Sequence, residues 1–135
     1  MRDAVVIGDP GPVRDEIARA LAAAPGIELL GSLNGRHPFA TELIQLRPEI
    51  TLLIEPTSSP LPAASIREAR AATPFGVVIV RAAEAAPTWV ADALNAGATS
   101  VLPATVDAEA IGRVVTEIAI EIDTAEEALR LGWAA

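Results

Sequence analysis

Five times along the chain a short run of β-branched or otherwise apolar residues is followed by a stretch with helical spacing, and few folds accommodate that alternation. Ala4-Val5-Val6-Ile7 is the first run, closed by the turn-forming cluster Gly8-Asp9-Pro10-Gly11-Pro12. Val13 to Ala24 follows with Val13, Ile17, Ala20 and Leu21 on one helical face, and Pro25-Gly26 stops it. Ile27-Glu28-Leu29-Leu30 alternates in part, as an edge strand does, and Phe39, Leu43, Ile44 and Leu46 mark a second helix. Ile50–Ile54 and Val77–Val80 are almost continuously apolar, which suits strands covered by helices on both faces. Ser65 with Glu68 reads as a capping box opening a third helix. Trp89, Val90, Ala93 and Leu94 give a fourth, and Thr99–Leu102 is the last strand. Asp107 is placed to cap a fifth helix in which Ile111, Val114, Val115, Ile118 and Ile122 share a narrow arc. Strands joined by helical crossovers of this length imply a parallel, doubly wound α/β sheet, which binds any ligand at the carboxyl ends of its strands.

Composition narrows the function classes. A chain of 135 residues has the size of one domain. We expect that domain over residues 1–122, with 123–135 as a C-terminal extension or a linker to an output domain. All ten basic residues are Arg, against eighteen acids, for a net charge of -8. That balance repels phosphate backbones and anionic lipid, so neither nucleic acid nor membrane is an expected partner of this segment alone. No apolar run approaches the ~20 residues of a membrane span, and the start drops straight into a strand, so a cytoplasmic location is expected. With no Cys there is no thiolate metal site and no thiol nucleophile, and the single His37 beside Pro38 reads as an exposed loop residue.

Four blocks carry a more specific likeness. Val13-Arg14-Asp15-Glu16-Ile17, Pro25-Gly26-Ile27-Glu28-Leu29-Leu30-Gly31, Leu46-Arg47-Pro48-Glu49-Ile50-Thr51-Leu52-Leu53 and Ala93-Leu94-Asn95-Ala96-Gly97-Ala98 stand in register, with their spacing kept through to Ala104. Together they resemble the receiver domains of bacterial response regulators, especially those attached to helix-turn-helix outputs. The resemblance implies a CheY-like (βα)5, flavodoxin-like sheet of five parallel strands in the order 2-1-3-4-5.

The same resemblance implies where phosphotransfer chemistry would sit, and those positions are altered. The family's magnesium-binding acidic pair falls on Gly8 and Asp9, leaving one acid. Its phospho-acceptor Asp falls on Ile54, which has no nucleophilic atom. Its hydroxyl position falls on Ala82, or on Arg81 if one residue is deleted, and its Lys falls on Ala104. The rotating aromatic of the family's switch is Val101 here, and Pro103 precedes the position of the lost Lys. Phosphoryl transfer is positioning plus charge neutralisation around a carboxylate nucleophile and a divalent ion, so these losses compound. We therefore expect no catalytic residue, cofactor or metal, but a phosphorylation-independent pseudo-receiver, with an apolar crevice in which Asp9 pairs with Arg81 or with backbone N–H groups.

Other readings stand beside this one. Glu55 either enters the old pocket through an irregularity at Glu55-Pro56, as a permanent mimic of the charged state, a metal ligand with Asp9 or a surrogate acceptor, or is a solvated loop carboxylate. Asp9 either ends its strand or caps the first helix, or binds metal. Arg81 is a candidate ion-pair partner of Asp9 or Glu55. A flavodoxin-like small-ligand domain is a further alternative, although no glycine-rich phosphate loop follows the first strand. As for partners, Ile120 lies outside the core arc of the fifth helix, and the family commonly dimerises through its fourth helix, fifth strand and fifth helix, where Trp89 and Val101 also lie. A homodimer, a protein partner or a fused output domain is expected there. The run Glu117, Glu121, Asp123, Glu126, Glu127 is a solvated face or meets a basic partner. Thr124 with Glu127 could open a short extra helix, and Leu129, Leu131 and Trp133 suggest docking. The Leu102-Pro103 pair also resembles receiver-like domains that precede MinD-type ATPases in pilus-assembly proteins.

Overall fold

The chain is described by a computed structural model over residues 1–36, 38–56, 59–83 and 86–132, which leaves His37 and Trp133 outside the described residues. Five strands, β1 (Arg2–Gly8), β2 (Ile27–Asn34), β3 (Ile50–Ile54), β4 (Val77–Ala82) and β5 (Ser100–Pro103), alternate with helices α1 (Pro12–Ala23), α2 (Ala40–Leu46), α3 (Ala63–Ala72), α4 (Pro87–Ala96) and α5 (Ala108–Arg130). All neighbours pair in parallel and the order is β2-β1-β3-β4-β5, as expected.

Strand periodicity divides the core in two. Ala4 and Val6 of β1 and Ile50, Leu52 and Ile54 of β3 face one side, where Ile17 and Leu21 of α1 and Ile111, Val115 and Ala119 of α5 cover them. Val5, Ile7 and Leu53 face the other, against Leu43 of α2, Ile66 and Ala69 of α3 and Ala93 of α4. Burial on both faces is why the central strands carry no polar alternation. The edge strand β2 runs four residues further than its apolar run. Gly31-Ser32-Leu33-Asn34 pairs with the end of β1 past a register shift at Ala4/Val5.

Helix ends show which local signals operate. Asp107 caps α5, its side chain accepting from the Ala110 amide at 2.8 Å. The Ser65/Glu68 capping box does not form, because Pro62 sits at the N-cap of α3 with no side-chain bond. Glu68 instead reaches across to α2 and accepts from the amides of Phe39 at 2.7 Å and Ala40 at 3.0 Å. Phe39 at the N-cap of α2 has no oxygen of its own to offer, so a neighbouring helix supplies the cap. Nor does Thr124 open a new helix. α5 runs unbroken through residues 122 and 123, and the Thr124 hydroxyl donates back to the Ile120 carbonyl at 2.9 Å. Its far end is tied to the start of β1 by Arg2, which bonds Asp123 at 2.8 Å, Glu126 at 2.9 Å and Glu49 at 2.8 Å.

Candidate functional site

The crevice at the carboxyl ends of the strands collects the positions singled out by sequence. Gly8 ends β1, Ile54 ends β3, Arg81 and Ala82 end β4, and Ala104 follows β5. Register fixes their neighbours: Ile54 stands opposite Arg81, Arg81 opposite Leu102, and Ala82 opposite Pro103. The Ala104 amide donates to the Ala82 carbonyl at 2.7 Å, so these two alanines do meet across the last pair of strands. The Leu102–Pro103 peptide is trans.

Ile54 is 6 % exposed and packs with the α1/α5 side of the core. It also crowds Gly8. A Cβ on residue 8 would lie 3.0 Å from the Ile54 Cβ, so the missing acid and the missing acceptor are sterically linked.

Asp9 is engaged, but not by Arg81. Its carboxylate takes a two-pronged ion pair from Arg36, whose Nε lies 3.1 Å from Oδ1 and whose terminal nitrogen lies 3.2 Å from Oδ2. The pairing holds the Arg36 guanidinium still more firmly in its charged form, chiefly through the hydrogen bond it donates to Asp9. Asp9 does not cap α1 either, because Gly11 is the N-cap and takes no side-chain bond. Arg81 faces the same side as Ile54 and donates to the Ala104 carbonyl at 3.2 Å, while its buried Nε has no partner. It pairs with neither carboxylate proposed for it.

Glu55 goes elsewhere. Its amide donates to the Arg81 carbonyl at 2.9 Å and its Oε1 accepts from the Ala83 amide at 3.2 Å. The side chain lines a cleft beside α4 with Trp89 and Ala86, whereas Asp9 and Ile54 line the adjoining cavity of about 310 Å³ toward α2, with Phe39 and Leu61, and Pro56 and Ser59 stand between the two. Strand alternation holds, and Glu55 does not join Asp9.

One further residue reaches the strand ends without a motif to mark it. Arg14 of α1 extends to the strand ends and donates to the carbonyls of Gly8 at 3.3 Å and Leu33 at 3.2 Å. Its place inside the first of the four receiver-like blocks is the only signal in the sequence. The crevice thus holds three guanidinium groups where the resembled family has acids and one cation. Magnesium, which the receiver fold implies, asks for several oxygen ligands in near-octahedral order. Of the three carboxylate positions that would supply them only Asp9 has one, and Arg36 occupies it, so the residues present do not fit the ion.

The three residues expected to form an interface do not share one surface. Trp89 and Val101 are half-buried against the α2/α3/α4 side of the core. Ile120 is 58 % exposed, as the helical arc requires. Yet it lies one turn past Thr116, whose hydroxyl donates to the Pro25 carbonyl after α1, so Ile120 is on the α1 flank of α5. Ile118 and Ile122 are the residues that border β5, beside Val77, Thr99 and Ser100. Sequence periodicity placed Ile120 outside the core but carried no information about which flank it took.

No protein-family model matches this chain, and no curated protein matches it. Solved structures do. A CheY-like response regulator receiver domain protein from Methanospirillum hungatei JF-1 superposes with a TM-score of 0.76 at 14% identity, covering 93% of this chain and 98% of that one. The fold is that of the receiver domains. The signal receiver domain of a protein named as the response regulator NarL from Mycobacterium tuberculosis gives 0.70 at 24% identity, over 86% of this chain and 94% of that one. A protein named for pilus assembly, CpaE from Burkholderia thailandensis E264, gives 0.68 at 16% identity, over 90% and 99%. At these identities the likeness is one of architecture. Among the described residues no helix is long and apolar enough to cross a membrane.

Proposed function

We propose that this domain is a pseudo-receiver: a phosphorylation-independent regulatory module, without enzymatic activity, that acts by binding protein. The observation that carries the reading is Ile54, a buried apolar side chain at the end of the central strand, pressed against Gly8 where the paired acids would have to stand. Of the family's carboxylate positions only Asp9 keeps an acid, and Arg36 is paired with it. With no nucleophile and no ion, the two states that a phosphoryl group would separate collapse into one, and output depends on what the fixed surface binds.

The surface proposed for self-association is the α4–β5–α5 face of a larger bacterial regulator, its output a helix-turn-helix or a MinD-like ATPase. Leu94 on α4 is 45 % exposed, Val101 is half-buried on the edge strand, and Ile118 and Ile122 flank it on α5. β5 has a free edge, and its exposed and half-buried neighbours offer the apolar centre that such interfaces use. Residues 123–130, continuous with α5, would carry the geometry of that pair to whatever follows.

Light scattering at high concentration, with magnesium titrated by calorimetry in the same samples, tests both halves. The reading expects a dimer that Leu94→Arg weakens and Ile120→Arg leaves intact, and no saturable magnesium heat. A monomer removes the homodimer; tight magnesium binding removes the inert crevice.

A further inference from the structure

Among the described residues, one sizeable cavity lies away from the strand ends. It is a groove of about 630 Å³ on the outer surface of the α1/α5 layer. Its floor is made of small side chains: Ala20 and Ala23 of α1 against Ala108 and Gly112 of α5. Gly112 sets the spacing, since a Cβ there would stand 3.3 Å from the Ala20 carbonyl oxygen, so the two helices touch below while their outward faces stay low. Because α1 has 12 residues, the furrow between the helices is roughly 18 Å long at 1.5 Å per residue. Ile120, a large exposed side chain, lies one turn beyond Thr116 on the same flank of α5.

The rim decides what fits. Glu16 on one side and Glu109 and Glu117 on the other are acidic, and Arg113, the one cation among the lining residues, is already turned onto Glu109 at 3.4 Å. A second copy laid face to face would bring this rim against itself, in a chain that carries a net charge of -8. Like charges at that range repel within a Debye length of about 8 Å at physiological salt. A long apolar furrow with acidic banks has instead the complement of an amphipathic helix whose apolar ridge is flanked by Arg or Lys.

We propose that the α1/α5 groove docks a basic amphipathic helix from another protein, with the apolar ridge of that helix seated on Ala20, Ala23 and Gly112 and its cations on Glu16, Glu109 and Glu117. This goes beyond the reading of the domain as a protein-binding pseudo-receiver, and it does not require the strand-end crevice to be inert. A failure here leaves that reading standing, and an aspartyl phosphate would leave the groove intact.

The probe is a fluorescein-labelled synthetic helix of roughly five turns, with Leu every third or fourth residue and Arg on both flanks, and a twin in which each Arg is Glu. Fluorescence anisotropy should show the Arg peptide binding the whole chain at least about 10-fold more tightly than the twin. Ala23→Trp, which fills the furrow at an exposed position, and Glu117→Arg should each weaken it about 10-fold or more. Glu42→Arg makes the same charge change on α2 and should alter affinity by no more than about 2-fold, circular dichroism having confirmed that all three variants fold. The proposal is overturned if the Arg peptide does not bind, if Glu42→Arg weakens it as much as Glu117→Arg, or if Ala23→Trp is without effect.

Discussion

Replacing Ile54 with Asp would put a carboxyl group back at the end of the central strand, and the structure says what that costs. Ile54 is 6 % exposed, so the substitution gives up nearly all of a buried Ile, about 1.5–3 kcal/mol. It also buries a polar group without a prepared partner, which adds about 1–3 kcal/mol by protein mutational data. A loss on the order of 3–5 kcal/mol is large against a total of about 5–15 kcal/mol, and it lowers the melting temperature by roughly 10–20 °C. The pH dependence separates the two terms. A desolvated carboxyl has a folded pKa above its unfolded value of about 3.9, so it is neutral in both states under strong acid. As pH rises through the unfolded value the unfolded chain ionises first, and stability falls until the folded group ionises too. Urea melts of Ile54→Asp and Ile54→Ala, at acid and neutral pH, give the comparison: the Asp variant should match or exceed the Ala variant in acid and fall below it at neutrality. The opposite slope, an Asp variant that gains on Ala as pH rises, would refute the dry-crevice argument. It would mean that the neighbouring Arg81, with its unpartnered Nε, accepts the carboxylate.

Other contacts make independent predictions. Glu68→Ala strips α2 of its cap and should cost about 1–3 kcal/mol, and Glu68→Gln, which keeps an acceptor, less; hydrogen exchange at the Phe39 and Ala40 amides reads it directly. Arg2 holds the Glu126 carboxyl below its ordinary pKa of 4.5, first through the hydrogen bond. Stability from that pair is present above the ordinary value and lost as pH falls through the depressed one, so protection factors at residues 123–130, taken relative to the intrinsic exchange rate at each pH, should fall in acid, and in Arg2→Gln already at neutral pH. Gly97 adopts φ 123, and a Cβ there would stand 2.7 Å from the Arg70 Cβ, so Gly97→Ala should disturb the Arg70 bonds to the carbonyls of Gly97 and Gly76 and lower the melting temperature.

What the sequence made legible was what repeats. Two-sided burial prints itself as unbroken apolar runs, so β3 and β4 and their parallel order were readable before any coordinates, and Asp107 at the head of α5 was readable because capping is local. Gly31-Ser32 looks like a turn in isolation and becomes strand only because the end of β1 pairs with it. Sequence spacing pairs Glu68 with Ser65, three residues away, whereas its partners lie 28 and 29 residues away. The Asp9–Arg36 pair spans 27 residues and joins two loops, where no period operates to announce it. Ile120 shows the same limit within one helix, since the arc separates inside from outside and leaves the flank to tertiary packing. At the strand ends the emptied positions were visible as residue types, while the groups that replaced them, Arg14 and Arg36, were not.

The most direct measurement is intact-mass spectrometry of the whole chain after incubation with acetyl phosphate and magnesium, repeated after hydroxylamine, which cleaves acyl phosphates. The account predicts a single unmodified species throughout, because Ile54 offers no nucleophile, Asp9 is held by Arg36 and Glu55 lines a different cleft. A stoichiometric, hydroxylamine-sensitive phosphoryl adduct on any carboxylate of the strand-end crevice would contradict it.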